Sequence, residues 1–189
     1  MAFLQQKKDV LDKLYLLDKS KKGSVDTYLI PLIDLINKLP NYYTTSSCSG
    51  RISLFTQYNT HHKANGEWLF VSHKTISYTD ISSALSSLPD AEVYFRVEGF
   101  ILHVACESLE DAKRFIQKAG LAGFKNASLL SFKKNIVQIV DTHRLDILLA
   151  DRGSLLVSTE YVQKIISKAN DLLERTHQRI DTFYTLLQS

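Results

Sequence analysis

Apolar residues recur at helical spacing near both ends of the chain and at strand spacing between them. Leu4, Val10, Leu11, Leu14 and Leu17 predict an amphipathic helix over residues 3–17. The segment DKSKKGSVD then breaks the pattern, with Gly23 as the turn residue. A second helix is predicted from about Asp26 to Leu39, burying Leu29, Leu32, Ile33 and Ile36. Pro31 must fall in its first turn, where a missing N–H is tolerated, and Pro40 ends it. Two helices joined by a short break point to an antiparallel helical hairpin.

The middle of the chain changes period. Residues 51–58, 67–73, 92–98 and 100–106 are rich in β-branched and aromatic side chains and read as strands. Residues 80–88 form a short helix stopped by Pro89. SLED, Ser108 to Asp111, is a capping-box pattern opening a helix that runs to Gly120, with Leu109, Ala112, Phe115 and Ala119 as its core face. Further strands are predicted at 128–133, 135–141, 144–150 and 154–157. A long helix from about Thr159 carries Val162, Ile165, Ile166, Ala169, Leu172, Leu173, Ile180, Phe183 and Leu187 on one stripe. Runs of strands with few helices between them indicate an α+β fold with a mixed or antiparallel sheet flanked by helices, not a βαβ alternation. The length suits one domain spanning residues 1–189, or two small joined lobes.

Composition narrows the class. The chain is 44% apolar and 23% charged, and no apolar run approaches the roughly 20 residues of a membrane span. MAFLQQKKDV has none of the regions of a secretion signal. Cys48 and Cys106 are too few for a disulfide framework and lack the CxxC spacing of zinc sites. A cytoplasmic protein without membrane or metal is the expectation. The net charge of +3 permits a polyanionic partner without requiring one. Glycines nowhere stand at i and i+2, so there is no GxGxxG loop, and HExxH and GxSxG are absent too. A Rossmann-type cofactor site has no basis in this sequence.

One stretch stands apart. NYYTTSSCSGRIS, Asn41 to Ser53, packs short hydroxyls, a cysteine, a glycine and an arginine between a helical and a strand pattern. A hairpin or a sharp strand–loop–strand is predicted there. Ser46, Ser47 and Ser49 offer hydroxyls, Gly50 permits a backbone that aims N–H groups at one point, and Arg51 suits a carboxylate or phosphate. Such a loop suits an anionic or heteroaromatic ligand; the plainer alternative is a serine-rich turn. Cys48 as a nucleophile needs a base or cation nearby, and no histidine is adjacent in sequence. His73 and His103 lie in strand patterns and, with Glu98, offer a proton-transfer cluster; a core histidine satisfied by one hydrogen bond is the alternative for His103. His61 and His62 sit in a polar loop. Lys63, Lys74, Lys125, Lys133 and Lys134 with Tyr42, Tyr43 and Trp68 form the basic–aromatic mix of a single-stranded RNA surface, although solvated faces look the same.

With those residues in hand, the chain resembles the wybutosine-synthesis methyltransferase family, the third enzyme of that tRNA pathway, and its archaeal relatives. DKSKKGSVD, LIDLIN, YYTTSSCSGRISL, WLFVSH, FILHVAC, AGLAGFKNAS and LLVSTEYVQKIISKAN carry the resemblance, in that order and over nearly the whole length. The resemblance implies methyl transfer from S-adenosylmethionine to the N4 ring nitrogen of 4-demethylwyosine, or of its 7-aminocarboxypropyl derivative, at position 37 of phenylalanine tRNA, and a fold unlike the Rossmann methyltransferases. It also implies the anticodon loop as partner. On matching positions, His103, His73 and Asp26 are the catalytic candidates. Ser46, Ser47, Cys48, Ser49, Gly50, Arg51, Trp68, Glu98 and Lys125 are the candidates for holding the base or the donor. A non-catalytic module that binds the anticodon loop is the alternative.

Overall fold

A computed structural model describes residues 2–14, 25–58 and 65–189. The break containing Gly23, and His61, His62 and Lys63, lie outside those residues. Helix α1 is Ala2–Leu11; a 3₁₀ turn, Thr27–Leu29, leads into α2, Ile30–Lys38. Strands β1 (Tyr42–Cys48), β2 (Arg51–Tyr58) and β3 (Asn65–Ser72) precede α3 (Tyr78–Ser86). Then come β4 (Glu92–Glu98), β5 (Ile101–Cys106), α4 (Leu109–Leu121), β6 (Asn126–Ser131) and β7 (Ile136–Val140). Strands β8 (Arg144–Asp151) and β9 (Ser154–Leu155) and helix α5 (Thr159–Gln188) complete the chain.

The chain forms two compact units, one of residues 1–49, 100–142 and 177–189 and one of 50–99 and 143–176. The first carries a four-stranded sheet, order β1-β5-β7-β6, and the second a five-stranded sheet, order β3-β2-β4-β8-β9. Every strand pair is antiparallel. The fold is thus α+β, with two sheets where the sequence reading expected one. In the first unit, Leu102, Val104, Val137 and Ile139 pack with Leu32, Ile33 and Ile36 of α2, Ala112 and Phe115 of α4, and Ile180 and Phe183 of α5. In the second, Ile52, Leu54, Val93, Phe95 and Val97 pack with Ile81 and Leu85 of α3 and Val162, Ile165, Ile166 and Ala169 of α5. Each of the Val, Leu, Ile and Phe side chains among these, fully buried, stabilises by roughly 1.5–3 kcal/mol.

Several boundaries differ from the sequence reading. Helix α1 ends at Leu11 and buries no side chain. Pro31 does sit in the first turn of α2, but Asp26, placed to cap the preceding turn, makes no side-chain cap bond. Helix α3 starts earlier than expected, because Ser77 and Asp80 form a capping box there. Ser108 caps α4 as predicted, accepting from the Asp111 N–H. Leu109 is nevertheless exposed, and Asp111 is buried in its place, held by Asn41 Nδ2 at 3.0 Å. Gly120 is inside the helix; the left-handed residue after it is Gly123, φ 96°. Arg152 and Gly153, φ 47° and 73°, form the two-residue turn of the β8–β9 hairpin, where positive φ matches the twist of the strands.

Candidate functional site

The SSCSGR segment is a sharp strand–loop–strand, not a hairpin. Strand β1 pairs with β5 and β2 pairs with β3 and β4, so the chain leaves one sheet at Cys48 and enters the other at Arg51. Gly50 takes φ 97°, which L side chains rarely adopt. A Cβ there would meet the Glu98 carbonyl oxygen at 3.0 Å and Leu173 Cδ1 at 3.2 Å. Glycine is required at this step by both conformation and space.

In the first unit, Asp26 serves this segment. Its Oδ2 accepts from the Ser49 N–H at 2.6 Å and from Ser49 Oγ at 3.0 Å. Ser49 is fully buried, so these bonds satisfy groups that water does not reach. Asn37 of α2 does the same for Thr44 of β1, accepting from its N–H at 2.8 Å and donating to its Oγ1 at 3.0 Å. A register shift between Thr44 and Ser46 then reverses which side chains face outward. Ser46 lies opposite His103, His103 opposite Gln138, and Gln138 opposite Ser128. Four polar side chains therefore cross the sheet in one row, on the face away from Leu102 and Val104.

His103 is half-buried, and its Nε2 is out of contact with water and has no hydrogen-bond partner among the described residues. Burial pulls the imidazole below its ordinary pKa of 6.5. The ring is therefore neutral at neutral pH, the form that accepts a proton. Cys48 is half-buried, and its Sγ is within 4.8 Å of an Asp26 carboxylate oxygen. Cys106 is buried; desolvation, with the Asp111 charge, pushes its thiol up to about 12. Lys125 is exposed in the turn after α4.

In the second unit, His73 Nδ1 is 2.8 Å from the Gly50 carbonyl oxygen. A carbonyl only accepts, so Nδ1 carries the proton and Nε2 of the neutral ring is the basic atom. Arg51 Nε donates to Glu98 Oε2 at 2.5 Å, and its guanidinium carbon sits 4.4 Å from the centroid of Trp68. Glu98 is thus engaged in an ion pair with Arg51. Sequence reasoning missed Asn37, a helix-interior amide with no local signal, and Arg96. Arg96 Nε donates to Asp146 Oδ1 at 3.0 Å and the guanidinium covers Phe55. Its signal was the alternation of Glu92, Tyr94, Arg96 and Glu98 along one face of β4.

The chain is similar to known proteins over most of its length. The family profile described as methyltransferase TYW3 matches residues 5–189. A Pyrococcus horikoshii protein named tRNA(Phe) 7-((3-amino-3-carboxypropyl)-4-demethylwyosine(37)-N(4))-methyltransferase 1 is 38% identical over 180 residues, 94% of this chain and 91% of its own length. A Xenopus laevis protein named tRNA wybutosine-synthesizing protein 3 homolog is 39% identical over 175 residues, 90% of this chain and 69% of its own. Among solved structures, the PH1069 protein from Pyrococcus horikoshii superposes with a TM-score of 0.90 at 36% identity, covering 98% of this chain and 95% of that one. Sequence and fold agree from end to end, and the chain belongs to the methyltransferase TYW3 family.

Proposed function

We propose that this protein transfers a methyl group from S-adenosylmethionine to the N4 ring nitrogen of 4-demethylwyosine, or of its 7-aminocarboxypropyl derivative, at position 37 in the anticodon loop of phenylalanine tRNA. The observation that carries the reading is the likeness, over 94% of the chain, to a relative named for that reaction. The absence of a long apolar helix among the described residues fits a substrate met in water. S-adenosylmethionine, when bound, supplies a methyl group already activated on a sulfonium. The residues present fit such a donor. Arg51 offers a guanidinium to its carboxylate, and the donor bears no phosphate that would call for a glycine-rich loop.

The protein's own work is then orientation and proton removal. Holding reactants in a near-attack geometry contributes on the order of 7–11 kcal/mol at its best. The acceptor nitrogen must lose a proton, and a neutral imidazole within reach takes it. His103, kept neutral by burial, and His73, with Nε2 as its basic atom, are the two bases of suitable form. Asp26 acts by fixing Ser49, which makes it a positioning residue. Ser46, Ser47 and Cys48 are assigned to the polar edges of the ligands, and Lys125 to the RNA backbone. Calorimetric titration of the purified protein with S-adenosylmethionine, and separately with tRNA, tests the reading. Saturable donor binding that Arg51→Ala weakens is expected. Binding of tRNA with no donor binding would instead leave a non-catalytic anticodon-loop module.

A further inference from the structure

Among the described residues, α3 and α5 pack against one face of the five-stranded sheet. On its other face, five side chains from β2, β3 and β4 form a continuous array of rings and guanidinium planes. Arg51 lies over Trp68, whose ring is 4.8 Å from Phe55; Arg96 lies 4.7 Å from Phe55 and 5.0 Å from Tyr94. Carboxylates fix the cations from the side, with Glu98 on Arg51 and Asp146 on Arg96. Phe55 is pinned down on the sheet: a Cβ at Gly66 would lie 1.8 Å from its Cζ, so the ring occupies the space that a side chain there would take. Trp68 is 41% exposed in the folded chain.

We infer that this face is a stacking platform for unpaired bases of an RNA strand. The inference rests on the proposed function and adds to it a route by which the strand reaches Arg51. Aromatic rings and arginine planes are the surfaces on which splayed single-stranded bases stack. The local charge balance argues against the other occupants. Arg51, Arg96 and Arg144 on this face stand against Glu92, Glu98 and Asp146, so these groups give no excess of cations to follow the phosphates of a duplex or an anionic lipid surface. The carboxylates Glu98 and Asp146 also stand beside the array, whereas acidic side chains are depleted at the centre of a protein–protein interface. Arg51 belongs both to this array and to the residues assigned to the donor, so the platform includes one of those residues.

Trp68 is the single tryptophan and reports on the platform directly. Oligoadenylate, a single-stranded stacking probe, is titrated into the full chain while tryptophan fluorescence is followed. Saturable quenching is expected, with Arg96→Ala and Phe55→Leu each weakening affinity roughly 5- to 100-fold. For Phe55→Leu, the dependence of affinity on salt stays as in the parent, because stacking releases no counterions. Circular dichroism checks that each variant is folded, and the surface change Arg96→Ala keeps the test valid if Phe55→Leu is not. Oligoadenylate bound without quenching, or bound equally well by folded Arg96→Ala, would overturn the platform. So would concentration-dependent self-association that Arg96→Ala abolishes, which would make the face a contact between copies. If tRNA binds tightly while Trp68 stays unquenched, this inference alone fails; if neither RNA nor donor binds, the proposed function fails with it.

Discussion

The two sheets bury one face in the same way and use the other differently. Each packs Val, Ile, Leu and Phe side chains against helices, and either core is the routine outcome of alternation plus burial. The outward faces share nothing. The four-stranded sheet carries a row of small polar groups, Ser46, His103, Gln138 and Ser128, with one imidazole kept neutral by burial. The five-stranded sheet carries rings and guanidinium planes. A buried face is constrained mainly by volume and shape, whereas an outward face is free to carry chemistry. The difference is one of chemistry: hydrogen-bonding groups on the first sheet, planar rings and guanidinium groups on the second.

The same contrast separates the ion pairs. Asp141 is buried in the first unit and accepts from Arg179 Nη1 at 2.5 Å, whereas Arg96–Asp146 in the second is partly open to water. Arg179→Met leaves a buried carboxylate without its cation and is expected to cost about 3–5 kcal/mol. Arg96→Met is expected to cost only about 0–1 kcal/mol. Urea midpoints of the two variants measure both, and equal losses would break the comparison. Next in size is Gly50→Ala. Strain at φ 97° costs about 1–3 kcal/mol, and the contacts with Glu98 and Leu173 add to it. A midpoint like that of the parent would show that the segment is not conformationally fixed.

Asp26→Ala leaves the buried Ser49 N–H and hydroxyl without their acceptor and is expected to cost about 1–3 kcal/mol. Methyl transfer should fall further than stability at a temperature where the variant is folded, and Asp26→Asn, which keeps one acceptor oxygen, should restore part of both. The smallest effect is the one of pH. The folded His103 ring resists protonation and the unfolded ring does not, so the unfolded state binds more protons below pH 6.5. Stability is full above that value and declines as pH falls towards the lower folded pKa. His103→Gln should remove this part of the acid slope, and with it the acid limb of the transfer rate if His103 is the base. An unchanged acid limb would transfer the role to His73.

Much of this was legible beforehand. Strands β2 and β4 fall on the residues that their alternation marked, and Pro31, Ser108 and the stripe of α5 act as their chemistry requires. What stayed hidden depends on partners far apart in the chain. Asp26 read as the start of a helix and, through the resemblance, as a catalytic candidate, and only the structure shows its bonds to Ser49, 23 residues on. The hydroxyl-rich segment alternates like a hairpin because both its flanks are strands, yet they pair with β5 on one side and with β3 and β4 on the other. Leu109 carried the right spacing for a core position, but at the first turn of α4 it is the Asp111 carboxylate, bonded to Ser108 and Asn41, that is buried.

The most direct test is transfer itself. The purified protein is incubated with methyl-labelled S-adenosylmethionine and tRNA carrying the 4-demethylwyosine precursor, and the RNA is digested to nucleosides. Label is expected on the tricyclic base of phenylalanine tRNA, reduced in Asp26→Ala and Arg51→Ala. Label that is absent from that base, while the protein binds the tRNA and remains folded, would contradict the account.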